Sequence, residues 1–395
     1  MVRTKKQTAL AVLVVVLISL SLRSPMSTVG PLTGQFQRDL GLSSFAAGFV
    51  TTIPMIAFSA MAPIAGRITV AVQSKKLVAA CFAIIGAGVL LRSFGGVAGL
   101  YVGTTCMGLA IGTMNVLMPA LIRKRFPDQI GLMMGFYLTA QTAASACFSG
   151  TCQDIAAALG SWKLGLAAPV VLCLVSIGAC LLSGPLLAVK LEAPAAEQGG
   201  RCITRKHVAV ALYMGTQSFI YFSMVAWLPS IAESMGAVTG DSGMLLLVMQ
   251  SFGMAACLVM PMITQRAKRR DLLACFGAFL FVLSFASMAF SGGAYGAIML
   301  GAILCGLACS GTLSLSLTII AEQGRNAGET AKISALSQCI GYALAAVGPS
   351  GLGYLYDVCG RWEVVLYCLI VLSALMTLLG LYAGKPEKSG NYTNS

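Results

Sequence analysis

The chain has 395 residues, 57% of them hydrophobic and only 10% charged, with a net charge of +13. A soluble domain carries nearer a quarter charged residues, so one ordinary core cannot hold these apolar side chains, and the sequence reads as an all-α polytopic membrane protein. The basic excess falls in short clusters between apolar runs, which is the distribution of cytoplasmic loops and argues against a nucleic-acid partner.

Apolar runs long enough to cross about 30 Å of hydrocarbon predict twelve transmembrane helices. The first six cover 9–33, 43–65, 77–94, 97–121, 130–153 and 164–188; the second six cover 207–229, 240–263, 272–291, 295–320, 331–354 and 362–383. The opening stretch imitates a signal peptide but lacks a small-x-small cleavage site and stays apolar to Leu32, so it reads as a retained first span. The longest polar link, KLEAPAAEQGGRCITRK, separates six spans from six. The expected organisation is therefore an N-terminal bundle (1–189), a cytoplasmic linker (190–206) and a C-terminal bundle (207–395).

With the N-terminus inside, cytoplasmic segments hold 21 of the 26 Lys and Arg, and the outer loops hold only Arg38, Arg92, Lys163 and Arg361. The remaining cation, Arg23, falls inside span 1. Both termini are thus expected in the cytoplasm. An internal repeat supports the division. Pro31 and Pro229 are 198 residues apart, as are Pro63 and Pro261, while Gly160-Ser-Trp162 and Gly360-Arg-Trp362 are 200 apart. Two parallel repeats of six spans imply two pseudo-symmetric bundles rocking about a central site.

The fourteen cysteines lie mostly within apolar runs, with no C-x-x-C pair, and His207 is the single histidine. Cysteine in such a setting acts as a small hydrophobe, so no metal and no cofactor is expected. All thirteen acids fall outside the mid-span regions, which argues against a membrane enzyme and against a proton relay built from protein carboxylates.

Strongly polar side chains occur deep in particular spans only. They are Arg23 in span 1, Asn115 in span 4, Gln141 in span 5, Gln217 in span 7, Gln250 in span 8 and Gln338 in span 11, with none in spans 3, 6, 9 and 12. An amide facing lipid is costly, so these groups should face protein or a wet cavity. Tyrosines four residues away share their helical faces: Tyr137 with Gln141, Gln217 with Tyr221, and Gln338 with Tyr342. Interhelical bonding and cavity lining are both open to each amide.

Arg23 would lie about 21 Å into its span, where insertion costs about 2.5–3.5 kcal/mol. Three roles are open: snorkelling to the outer interface, bonding to the backbone near Pro25, Gly30 and Pro31, or meeting an anionic substrate with its planar fork of donors. The substrate role is favoured. Tyr221 is 198 residues after Arg23, so the repeat sets the two at equivalent depth in opposite bundles.

The stretches LRSPMSTVGPL (22–32), NVLMPALIRKRFP (115–127), GTQSFIYFSMVAWLPSI (215–231) and SQCIGYALAAVGPSGLGYLYDVCGRW (337–362) resemble the cyanate/2-nitroimidazole transporter family of the major facilitator superfamily. The resemblance implies the major facilitator fold with alternating access, the third span of each three-helix unit serving as outer scaffold. It also implies a bacterial inner-membrane carrier with a small-molecule substrate. The family's Asn-Leu-Arg-Pro reads Ser21-Leu22-Arg23-Ser24 here, with Pro25 one place later, and Val70 replaces the acid of the superfamily's loop after span 2. The expected activity is transport of a small anion or small polar compound by a monomer, through exchange or symport with a substrate-borne proton. Efflux of neutral nitroheterocycles or other drugs is the alternative, and a non-transporting membrane sensor that keeps the fold is the less favoured one.

Overall fold

The computed structural model describes residues 5–126, 130–183, 204–236, 243–323 and 327–385. Residues 184–203, which include most of the expected linker 190–206, lie outside them. Among the described residues there is no strand, and fourteen helices follow in order. In the first half these are α1 (Lys5–Ser27), α2 (Val29–Leu40), α3 (Ser44–Ala71), α4 (Ser74–Phe94), α5 (Gly96–Arg125), α6 (Ile130–Ala158), α7 (Trp162–Ala167) and α8 (Val170–Leu182). In the second they are α9 (Arg205–Ser234), α10 (Gly243–Arg266), α11 (Arg270–Ala289), α12 (Tyr295–Gln323), α13 (Ala327–Cys359) and α14 (Trp362–Ala383).

Nine of the described helical segments are long and apolar enough to cross a membrane, and the α1–α2 pair, bent by 40°, brings the number to ten. Helices α6 and α13 match them in length, with 29 and 33 residues. Gln141 and Gln153 in the one and Gln338 and Asp357 in the other dilute their apolar runs, so both stand outside the set picked by length and apolarity.

Helix α5 packs against both α3 and α4, and α1 lies against α6 and α8. In the second half α9 lies against α12, α13 and α14, α10 against α12, and α11 against α12 and α14. The halves meet along three seams: α3 with α13, α6 with α10, and α2 with α9. Small residues let backbones approach there, as is usual where no hydrophobic force drives helices together. A Cβ on Gly30 would collide with the Val225 carbonyl, and one on Gly48 would sit 2.6 Å from the Pro349 oxygen.

The repeat is visible in the backbone. Gly160 and Gly360 both adopt φ +67°, a left-handed turn open to glycine, immediately before Trp162 and Trp362 start α7 and α14. Gly108 packs on Pro54 of α3, and Gly306, 198 residues later, packs on Met249 of α10.

The seams lie at the end of the assembly away from the chain's N-terminus, because they use the last turns of α2, α9 and α13 and the first turns of α3 and α10. Polar bonds fasten that end. The Asp357 carboxylate accepts the backbone N–H groups of Ser44 at 3.1 Å and Phe45 at 2.9 Å, at the start of α3. Thr52 Oγ1 donates to the Ala346 carbonyl at 2.7 Å, and Gln153 accepts from the Gly243 N–H at 3.1 Å. A carboxylate at a helix N-terminus offsets both orphan N–H groups and the dipole.

Asp357→Ala should weaken this closure by about 1 kcal/mol, the usual size of a lost N-terminal cap. Spin labels on Arg38 and Val358 should then show a larger share of long separations; an unchanged distance distribution would remove Asp357 as a latch.

Candidate functional site

Between the seams and the opposite end, the helices part around a cavity of about 290 Å³. Its wall is drawn from α1, α3, α5 and α6 on one side and α9, α10, α12 and α13 on the other. Helices α4, α8, α11 and α14 contribute nothing to it, as expected for scaffold spans. All nine residues singled out from the sequence, Arg23, Asn115, Tyr137, Gln141, Gln217, Tyr221, Gln250, Gln338 and Tyr342, line this one space. The three tyrosine–glutamine pairs arrive as pairs because four residues along a helix return to the same face.

Arg23 projects from the last turns of α1 with its Cζ 5.5 Å from the centre of the Tyr221 ring, a cation–π contact across the two halves. Phe222 meets the Tyr221 ring edge-on at 5.0 Å. Among the described residues, no carboxylate and no hydrogen-bond acceptor meets the guanidinium. Its donors therefore face the cavity.

The other polar groups divide into those already used and those left open. The Tyr137 hydroxyl makes a long contact of 3.5 Å to Asn115 Oδ1. Gln141 Nε2 is buried without a partner. Ser218 Oγ donates to Gln217 Oε1 at 3.2 Å, and Tyr342 packs edge-on against Phe58 with ring centres 5.8 Å apart.

Gln250 differs from the rest. Ser145 Oγ donates to its Oε1, while its Nε2 donates to Ser149 Oγ at 2.9 Å and to the Ser145 carbonyl at 3.4 Å. Both amide hydrogens and the carbonyl are spent on the α6–α10 seam. Of the two roles open to this amide, interhelical bonding is the one its geometry serves.

Arg92 is a correction. The Lys/Arg distribution assigns it to an outer loop, but it lies in the last turn of α4 and is 0% exposed. Scaffold span 3 thus carries a buried cation of its own. Its proximity to the span end hid it, since sequence position alone cannot say whether an end residue turns out to water or in to a neighbour. The cavity hydroxyls of Thr142 and Ser218 were equally silent, because both bond the carbonyl four residues back, as such residues do in any helix.

No group of His, Cys, Asp or Glu among the described residues could hold a metal ion. A space with one cation, several neutral donors, aromatic walls and no acid can bind and release a small ligand.

The sequence matches the Major Facilitator Superfamily over residues 12–349. The chain belongs to that superfamily. It is 29% identical over 375 residues to the uncharacterized transporter YycB of Bacillus subtilis (strain 168), covering 94% of this chain and 92% of that one. To the 2-nitroimidazole transporter of Escherichia coli (strain K12) it is 28% identical, with 95% of each chain covered. To the cyanate transport protein CynX of the same organism it is 25% identical, with 89% and 91% covered. The fold is similar to that of the xylose transporter XylE from E. coli, with a TM-score of 0.74 over 96% of this chain and 97% of that one, at 14% identity. This major facilitator protein is a multi-pass membrane transporter of a small molecule, not an enzyme.

The division among the amides is testable. Gln250→Leu removes bonds worth about 0.6 kcal/mol each and strands two serine hydroxyls, so it should lower thermal stability in detergent by about 1–2 kcal/mol. Gln141→Leu deletes an unpartnered buried donor and should leave stability within about 0.5 kcal/mol. Unfolding curves that rank the two variants the other way would overturn the assignment.

Proposed function

We propose that this transporter carries a small planar compound ending in a two-oxygen group, anionic or strongly dipolar, held between Arg23 and the phenols of Tyr221, Tyr137 and Tyr342. The observation that carries the reading is the Arg23 guanidinium, which faces the cavity with no carboxylate and no acceptor among the described residues. A guanidinium presents a fork of donors that matches a carboxylate bidentately. A nitro group has the same planar pair of oxygens, which is why both a small anion and a nitroheterocycle fit one site. 2-Nitroimidazole, named for one relative, falls within this range, whereas cyanate, named for another, is a linear ion with one oxygen and shares only the anionic character. The unpartnered Gln141 amide and the Gln217 and Gln338 side chains supply neutral donors for the rest of the ligand. The Tyr221–Phe222 and Phe58–Tyr342 ring pairs flank a flat body. Gln250 is left out, its amide being engaged elsewhere.

In this reading the halves 1–189 and 207–395, joined by 190–206, rock about the cavity as a monomer in the bacterial inner membrane, both termini in the cytoplasm. The cavity has no carboxylate or histidine among its lining residues, so coupling runs through exchange or through a proton carried by the substrate itself.

The test is thermal stabilisation of the purified protein by a panel of cyanate, benzoate, nitrate and 2-nitroimidazole, wild type beside Arg23→Ala and Arg23→Lys. The expected result is stabilisation lost in Arg23→Ala and partly restored in Arg23→Lys, since an ammonium replaces the charge but not the fork. Full stabilisation of Arg23→Ala would make the arginine structural and remove the two-oxygen end as the recognised feature. In proteoliposomes, counterflow of the stabilising compound should persist after the proton gradient is collapsed; its disappearance would show a proton relay that this reading denies.

A further inference from the structure

Arg92 is among the largest fully buried side chains of the protein, and its contacts converge on two helix breaks. Its Nη1 donates to the Pro25 carbonyl at 2.7 Å, and its Nη2 donates to the Leu166 carbonyl at 3.1 Å and lies 3.4 Å from Thr28 Oγ1. Pro25 is in the last turn of α1, and Thr28 is the residue between α1 and α2 where the chain bends by 40°. Leu166 is in the last turn of α7, just before the Ala168–Pro169 step into α8. Thr28 Oγ1 in turn donates to the Pro25 carbonyl at 3.2 Å, so it stands within the same cluster.

No carboxylate pairs with Arg92 among the described residues. Its countercharge is the partial negative charge at the ends of α1 and α7, where carbonyls lack helical partners. An apolar side chain there would take away the donor to the Leu166 carbonyl and leave the Pro25 carbonyl with Thr28 Oγ1 alone. The guanidinium is therefore a clip that holds the span 1 break against the span 6 break.

The clip sits two residues from Arg23. Successive residues of a helix turn by about 100°, so a small rotation of the last turn of α1 swings the Arg23 side chain away from Tyr221. The turn is held from behind at one further point, where Ser21 Oγ donates to the Leu172 carbonyl at 2.8 Å and pairs with Ser176 Oγ at 2.6 Å on α8. Ser21 fixes the turn before Arg23; Arg92 fixes the turn after it.

We infer that Arg92 is a positioning residue for substrate binding: by clamping the Pro25 and Leu166 carbonyls it aims the Arg23 guanidinium at the ligand. The inference rests on the proposed role of Arg23. Lysine cannot substitute fully, because a single ammonium on a shorter stem does not reach both carbonyls as a planar fork does.

The experiment is a double-mutant cycle read by ligand affinity, with thermal stability recorded in parallel and 2-nitroimidazole and benzoate as probes. Arg92→Gln should weaken binding about tenfold, Arg92→Lys less, and Thr28→Val by an intermediate factor. In an Arg23→Lys background, which keeps measurable binding, Arg92→Gln should weaken affinity by much less than tenfold, although melting temperature should drop in both backgrounds. Losses that multiply, or an Arg92→Gln protein with wild-type affinity, would overturn the inference. Should Arg92→Gln fail to fold, Thr28→Val with and without Arg23→Lys gives the same comparison, and additivity there overturns it equally. If Arg23→Ala keeps full affinity, the substrate reading itself falls; if Arg23→Ala loses affinity and Arg92→Gln does not, only the positioning role falls.

Discussion

A cation inside an apolar bundle has to be compensated, and this protein holds two that are compensated in opposite ways. Arg92 is enclosed, with two backbone carbonyls as hydrogen-bond acceptors, and serves as a fixed part of the scaffold. Arg23, only two residues before Pro25 in the chain, meets the face of Tyr221. The first arginine spends Nη1 and Nη2 on fixed carbonyls, and its buried Nε has no partner. The second meets no acceptor among the described residues, and its donors face the cavity. Both depend on the break between α1 and α2, which exposes carbonyls to the one and turns the other towards the cavity.

The amides show the same partition. Gln250 and Gln141 are chemically identical and both line the cavity, yet Gln250 spends its amide on Ser145 and Ser149 while Gln141 keeps a buried Nε2 without a partner. A carrier needs both kinds of group. Bonds across α6 and α10 hold one end closed, and groups without partners leave the cavity ready for a ligand. Because membrane helices gain little from burying apolar surface against one another, the close backbone approaches at Gly30 and Gly48 and the Asp357 cap carry much of that closure.

The single positive charge of the cavity also bears on how transport is driven. The cavity's lining residues include no carboxylate or histidine. Closing an apolar space around a bare guanidinium is costly, and an anionic or dipolar ligand would offset that cost. In the proposed reading, occlusion is thereby easier with ligand present than without, which would favour exchange.

Much of this was legible from composition and periodicity. Hydrophobic runs separated by basic clusters dictate membrane helices whatever the tertiary packing, since lipid leaves the backbone no other way to satisfy itself. The repeat offset of 198 residues paired Arg23 with Tyr221, and the rarity of polar groups in apolar runs marked all nine cavity residues, because such groups are too expensive to leave facing lipid. Sequence could not say which of those groups were already bonded. That Gln250 bonds across the seam, that Arg92 is buried and not in a loop, and that Arg23 meets no acceptor among the described residues are all matters of contact between segments far apart in the chain. Their hydrogen bonds span about a hundred residues or fewer in sequence, from Ser145 to Gln250 and from Pro25 to Arg92 to Leu166, and only the packing of the helices decides them.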